Sequence, residues 1–112
     1  MQQTKVLHRY WKALEQLRSV DPEMPLQRAS TFIYIATHEG CTIKSISDAL
    51  GVVASTTNRN VRALGKTHRS GKGGHDLVTS EADPDDPRRP LFSLTPQGKR
   101  IATGITTDLG GN

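Results

Sequence analysis

Residues 82 to 98 read ADPDDPRRPLFSLTPQG, a stretch that crowds Asp83, Asp85 and Asp86 against the adjacent pair Arg88 and Arg89. Clustered carboxylates can hold a divalent cation, and neighbouring guanidiniums at a turn can present planar forks to phosphate. A calcium loop requires the D-x-[DN]-x-[DN]-G spacing and a distal glutamate, and this stretch has neither. Asp-Pro pairs are ordinary turn formers. The aspartates are therefore expected to shape a turn, with Asp83 and Asp86 bracing an arginine through charge-assisted hydrogen bonds. No metal is expected, and Arg88 and Arg89 are the candidate working groups.

A second constellation lies in VVASTTNRNVRALGK, residues 52 to 66. Thr57, Val61 and Leu64 share one helical face, which leaves Ser55, Thr56, Asn58, Arg59 and Arg62 facing outward. Short hydroxyl and amide groups near a helix N-terminus suit base edges in a major groove; Asn58 can pair with adenine, and Arg59 or Arg62 with guanine or phosphate. The bland alternative is a solvated polar face. Charge distribution favours the nucleic-acid reading. No acidic residue lies between Asp48 and Asp76, whereas Arg59, Arg62, Lys66, Arg69 and Lys72 all fall there. The glycine-rich loop that carries the last two could approach phosphate, or could simply be solvated.

Other chemistries lack support. A phosphate-binding loop ending at Gly65-Lys66-Thr67 would need glycine at position 60, where Asn60 stands, and should follow a strand. His68, His75 and Cys41 have no zinc-ligand spacing. No serine or cysteine sits in a recognisable nucleophile context, so neither an enzyme nor a cofactor is expected.

Elements must position these groups. Leu7, Tyr10, Leu14 and Leu17, with Trp11 beside them, predict an amphipathic helix over 4–19. DPEMP (21–25) interrupts it. A second helix over 26–38 is expected to turn Leu26, Ala29, Ile33 and Ala36 inward, its face widened by Phe32, Tyr34 and Ile35. Thr42 should cap a third helix that stops at Gly51. Residues 77–82 and 89–94 read as strands, and Thr95 and Pro96 open a closing helix. The fold class is thus mainly α with a small β-hairpin (α+β), a winged helix-turn-helix. Residues 1–112 form one domain, with an N-terminal helix in 1–20, the helix-turn-helix at 42–66, the wing hairpin at 77–94 and a frayed tail at 105–112.

Bulk properties fit. The formal net charge is +4 and the pI about 9.6, which suits a polyanionic partner. A single cysteine excludes an internal disulfide and suits a reducing compartment. No apolar run is long enough to span a bilayer, and no signal-peptide core is visible, so the cytoplasm is expected.

TIKSISDALGVVASTTNRNVRAL (42–64) together with EADPDDPRRPLFSLTPQG (81–98) resembles the MarR family of bacterial winged-helix transcriptional regulators. Asp83, Pro84, Asp86, Arg88, Arg89, Leu94, Thr95 and Gly98 stand in the family's wing pattern, with Pro87 as an insertion. The resemblance implies a homodimer on a pseudo-palindromic double-stranded operator, acting as a repressor. Ser55, Thr56, Asn58 and Arg59 would read or brace the major groove, and Arg88 and Arg89 would be wing-tip contacts, a structural role for one of the two being the alternative. Three departures stand out. Val53 replaces the usual Ser or Thr cap, the link over 65–75 is long, and few residues follow Thr95 where relatives continue into dimerisation helices. Leu7, Tyr10, Trp11, Leu14 and Leu17 are therefore expected to carry dimerisation, a monomer being the alternative. An effector pocket between subunits is expected to be reduced or missing. Two rival readings stand beside this one: a phage or mobile-element protein that binds a host protein, and a replication or partition accessory protein.

Overall fold

The structure, a computed structural model, describes residues 2–66 and 74–111. Helices α1 (Gln2–Arg18), α2 (Leu26–Thr37), α3 (Ile43–Leu50) and α4 (Ala54–Leu64) precede strands β1 (Val78–Asp83) and β2 (Asp86–Leu94), and α5 (Pro96–Asp108) follows. Local chemistry accounts for most boundaries. Thr42 and Ser45 form a reciprocal capping box at the start of α3, the Thr42 hydroxyl accepting from Ser45 N at 3.1 Å and the Ser45 hydroxyl from Thr42 N at 3.0 Å. Gly51, at φ +69°, supplies the left-handed residue that ends α3 and turns the chain into α4. The turn works because glycine has no Cβ to clash there. At α5, Thr95 Oγ1 accepts from Gly98 N at 3.0 Å and Pro96 occupies the first turn.

The two strands pair antiparallel, Val78 opposite Leu94 through Ala82 opposite Pro90, with an irregularity at Ala82/Asp83. The hairpin reaches further than the sequence spacing suggests, β2 beginning at Asp86 rather than 89 because Pro84 and Asp85 alone make the turn. A third strand position comes from Cys41, which bridges Phe92: Gly40 N donates to Phe92 O at 2.7 Å and Phe92 N to Cys41 O at 2.8 Å. One core unites the elements. Ala13 and Leu17 of α1, Phe32 and Ile35 of α2, Ile46 of α3, Val61 and Leu64 of α4, Val78, Phe92 and Leu94 of the hairpin and Ile105 of α5 are all buried in a single cluster.

Three expectations change. The inward face of α2 is Thr31, Phe32 and Ile35, while Leu26 is 75% exposed and Ile33 also reaches the surface. Periodicity alone allowed either orientation, since the apolar residues of this helix run more than halfway around it. α3, α4 and β2 pack on the Phe32 side, and the other side faces an open groove. On α1, Ala13 and Leu17 are buried and Leu14 is half-buried, so Leu17 belongs to the protomer's own core. Nor do residues 105–108 fray. They complete α5, with Ile105 buried and Gln16 Nε2 donating to Asp108 Oδ2 at 2.9 Å, because α1 lies alongside and gives them something to pack on.

Gly98 explains one element of the wing pattern. A Cβ added there would overlap the Leu77 carbonyl oxygen, so the first turn of α5 approaches the strand's approach segment at backbone distance. Gly98→Ala should destabilise the fold by about 1–3 kcal/mol through this overlap, and Thr42→Ala by about 1 kcal/mol through the lost cap. Urea unfolding followed by circular dichroism measures both; an unchanged midpoint for Gly98→Ala would contradict the close approach.

Candidate nucleic-acid interface

α4 is held by its inward face. Thr57, Asn60, Val61 and Leu64 are buried, and Ser47 Oγ lies 2.7 Å from Thr57 Oγ1 in the interior of the helix-turn-helix. Ser47 spends its own proton on Ile43 O at 2.8 Å, so the Thr57 hydroxyl is the donor between the helices. The opposite face carries Ser55, Asn58, Arg59 and Arg62, all exposed, with Thr56 half-buried and exposed Lys66 just beyond the helix. As the sequence suggests, Val53 provides no side-chain cap. Asn58 Nδ2 donates back to Ala54 O at 3.0 Å, which lays its side chain along the first turn but leaves the amide donors of that turn without a side-chain cap.

Residues 74–77 bond the end of α4 and the two residues after it. Gly74 N donates to Lys66 O, His75 N to Ala63 O, Asp76 N to Gly65 O and Leu77 N to Leu64 O, at 2.8–3.1 Å. His75 Nε2 also sits 3.3 Å from Asp21 Oδ2, between α1 and α2. These contacts fix the hairpin relative to the end of α4. Between α4 and the hairpin runs an open groove of about 700 Å³, lined by Asn58, Arg62, Lys66, Thr79, Ser80 and Pro90 among others. Arg69 and Lys72, expected to add positive charge to this region, lie outside the described residues.

At the wing tip the two arginines differ. Asp83, itself buried, accepts Asp85 N on Oδ1 at 2.8 Å, while its Oδ2 accepts both Nε of Arg89, at 2.9 Å, and Nη2 of Arg89. The Arg89 hydrogen bonds and then the Asp85 amide hold the Asp83 carboxyl below its ordinary range, and Asp83 correspondingly raises the Arg89 pKa. Asp86 Oδ1 accepts Arg88 N at 3.2 Å and lies 3.5 Å from Arg88 Nε, yet the Arg88 side chain is 93% exposed. Arg89 is therefore committed to the turn, and Arg88 is presented to solvent from it.

Sequence reasoning missed a polar cluster behind α4. Arg28 Nε donates to Asn60 Oδ1 at 3.2 Å, and Asn60 Nδ2 to Gln27 Oε1 at 3.4 Å, tying α2 to the inner flank of α4. The available signal was the three-residue spacing from Thr57 to Asn60, which already put Asn60 inward. Away from this region, Leu7, Tyr10 and Trp11 of α1 are exposed. Tyr10 borders a second, apolar groove of about 500 Å³, lined also by Leu14, Leu26, Ile33 and Leu109, whereas Trp11 lines a separate pocket with His8, Lys12 and Gln16. Cys41 is buried, which raises its thiol pKa. No helix of the described residues is long and apolar enough to cross a membrane.

The Asp83 pKa has a testable consequence. A carboxyl whose folded pKa is depressed stabilises the fold fully above its unfolded value, about 3.9, and that contribution disappears as pH falls through the lower folded value. The difference in melting temperature between the wild type and Asp83→Asn should be constant above about pH 5 and shrink at lower pH. A difference that is unchanged down to the lowest accessible pH would show that the carboxylate is not the stabilising group.

No family model and no curated protein matches this sequence. Solved structures are similar. Rv1404 of Mycobacterium tuberculosis superposes with a TM-score of 0.73 at 20% identity, covering 97% of this chain and 66% of that one. S. aureus MepR, in a structure of its DNA complex, gives 0.72 at 24% identity over 89% of this chain and 74% of MepR. A MarR-family transcription regulator, SP03579, gives 0.63 at 18% identity over 95% and 61%. The chain spans less than two thirds of SP03579, and 57% of PcaV from Streptomyces coelicolor, to which it is also similar. Five helices, a glycine turn into an outward-polar α4, and an antiparallel hairpin braced at its tip thus give this chain the winged helix-turn-helix fold of the MarR type.

Proposed function

We propose that this protein is a sequence-specific, double-stranded-DNA-binding transcription regulator that acts as a repressor by occupying its operator. The observation that carries the reading is the pairing of a firmly seated α4, polar and basic on its free face, with Arg88 held outward on a braced hairpin. An α-helix fits a major groove about 12 Å wide. Ser55, Thr56, Asn58 and Arg59 would meet base edges there, with Asn58 turning from Ala54 O to adenine. Arg62, Lys66, Arg69 and Lys72 would neutralise phosphates, and Arg88 would enter the flanking minor groove, where A·T tracts concentrate negative potential. Arg89 serves by bracing. MepR and Streptococcus pneumoniae FabT, both solved with DNA, have this fold and support a DNA-binding reading.

A pseudo-palindromic operator implies two copies. Leu7, Tyr10 and Trp11, exposed on α1, with half-buried Leu14, would join them; Trp11 is 60% exposed. The same apolar surface motivates the second reading, a module that binds a host protein. A stoichiometric protein partner retained after nuclease treatment, together with an absence of duplex preference, would favour that reading.

Selection of binding sites from random duplex DNA tests the first reading, and a palindromic consensus is expected. On that site, Asn58→Ala or Arg59→Ala should cost about 1–3 kcal/mol and relax base preference. Equal losses on specific and random duplexes for both variants would remove α4 from base readout.

A further inference from the structure

The two flanks of α4 are unlike in what they offer a polyanion. Asn58 and Arg62 face the hairpin and line the groove beside it, as does Lys66. Asn60 faces the other way, one turn after Thr56 and about 100° around the axis from Arg59. The side chain that covers Asn60 is Arg28, from the first turn of α2. Arg28 is held by one edge only. Its Nε is engaged by Asn60, which is in turn engaged by Gln27. Among the described residues its Nη1 and Nη2 have no protein acceptor, and no carboxylate lies within ion-pair distance. No buried side-chain nitrogen there lacks a partner either, so these two groups open to solvent.

A helix lying in a major groove has a sugar–phosphate backbone on each side. The hairpin side of α4 already carries cations for one strand. We propose that Arg28 is a phosphate-binding residue for the other strand, its guanidinium pre-set by Asn60 beside the recognition helix. The inference rests on the DNA-binding reading above. Fixing Nε removes much of the rotamer entropy that an arginine loses on binding, and the free Nη groups supply the planar, charge-assisted donors that phosphate oxygens accept. Arg28 thus contributes affinity without sequence preference. Asn60, though it sits on the recognition helix, acts through Arg28 and touches no base.

Affinities of the wild type, Arg28→Gln and Arg28→Lys for the selected site and for random duplex, measured from 50 to 400 mM salt, test this. Arg28→Gln should weaken both by the same factor, about fivefold to tenfold near 0.1 M salt, and reduce the slope of log affinity against log salt by about 0.9. Arg28→Lys keeps the charge and should keep the slope while losing affinity. An unchanged slope in Arg28→Gln, or a loss confined to the selected site, would overturn the proposal and leave the DNA-binding reading intact. Wild type without salt-dependent duplex binding would overturn both. Should Arg28→Gln fail to fold, phosphate-ethylation interference with wild-type protein decides: interference on both strands flanking the major groove is expected, and interference on the hairpin-side strand alone refutes it.

Discussion

The hydroxyl pair Ser47 and Thr57, 2.7 Å apart and out of water, sets the angle between α3 and α4 on which the rest of the interface depends. A buried hydrogen bond of this kind contributes modestly when made and costs more when one partner is left alone, so it selects one packing geometry over its neighbours. With α4 seated by that bond and by Val61 and Leu64, its outward face can be polar and basic at no cost to the core. Gly51 permits the close turn, and the capping box at Thr42 starts α3 in the right place. Ala63 and Leu64 of the same helix then accept from His75 N and Leu77 N, so the hairpin is referenced to the end of α4.

The hairpin shows how one charge can be spent to present another. Asp83 is buried and acid-strengthened by Arg89, and the turn between β1 and β2 closes on that pair. Arg88, adjacent in sequence, is exposed to solvent beside Asp86. Alternation along a strand is the physical reason, since neighbouring residues face opposite sides of the sheet. Two arginines that look equivalent in the sequence therefore have different environments, and a substitution at either has a different meaning: loss of the brace at Arg89, loss of the presented cation at Arg88.

Apolar surface is distributed unevenly. The core gathers around Phe32, Ile35, Ile46 and Leu64, while Leu7 and Trp11 stay exposed on α1 and Tyr10, Leu26 and Ile33 remain outside the core around the second groove. Scattered exposed apolar residues need no explanation, but Tyr10, Leu26, Ile33 and Leu109, gathered around one groove, are the kind of surface that association covers. The polar and basic face of α4 and this apolar face involve different residues, so the proposed DNA binding and the proposed association with a second chain would not compete for the same side chains.

The sequence by itself determined which residues share a face. The three- and four-residue spacing of Thr57, Val61 and Leu64, the cap residues Thr42 and Thr95, the glycine turn and the Asp-Pro hairpin are local signals, and the elements they specify are present. It did not determine which face finds a partner. α2 has apolar residues most of the way round, and only the packing of α3, α4 and β2 selects Phe32 and Ile35 over Leu26 and Ile33. Residues 105–108 carry a weak helix signal and are ordered by α1 alongside them. The cluster of Gln27, Arg28 and Asn60 joins positions more than thirty residues apart. The unequal roles of Arg88 and Arg89 depend on where Asp83 comes to rest. Periodicity and capping are properties of short windows of chain, whereas burial and long-range hydrogen bonds exist only once separate elements have met.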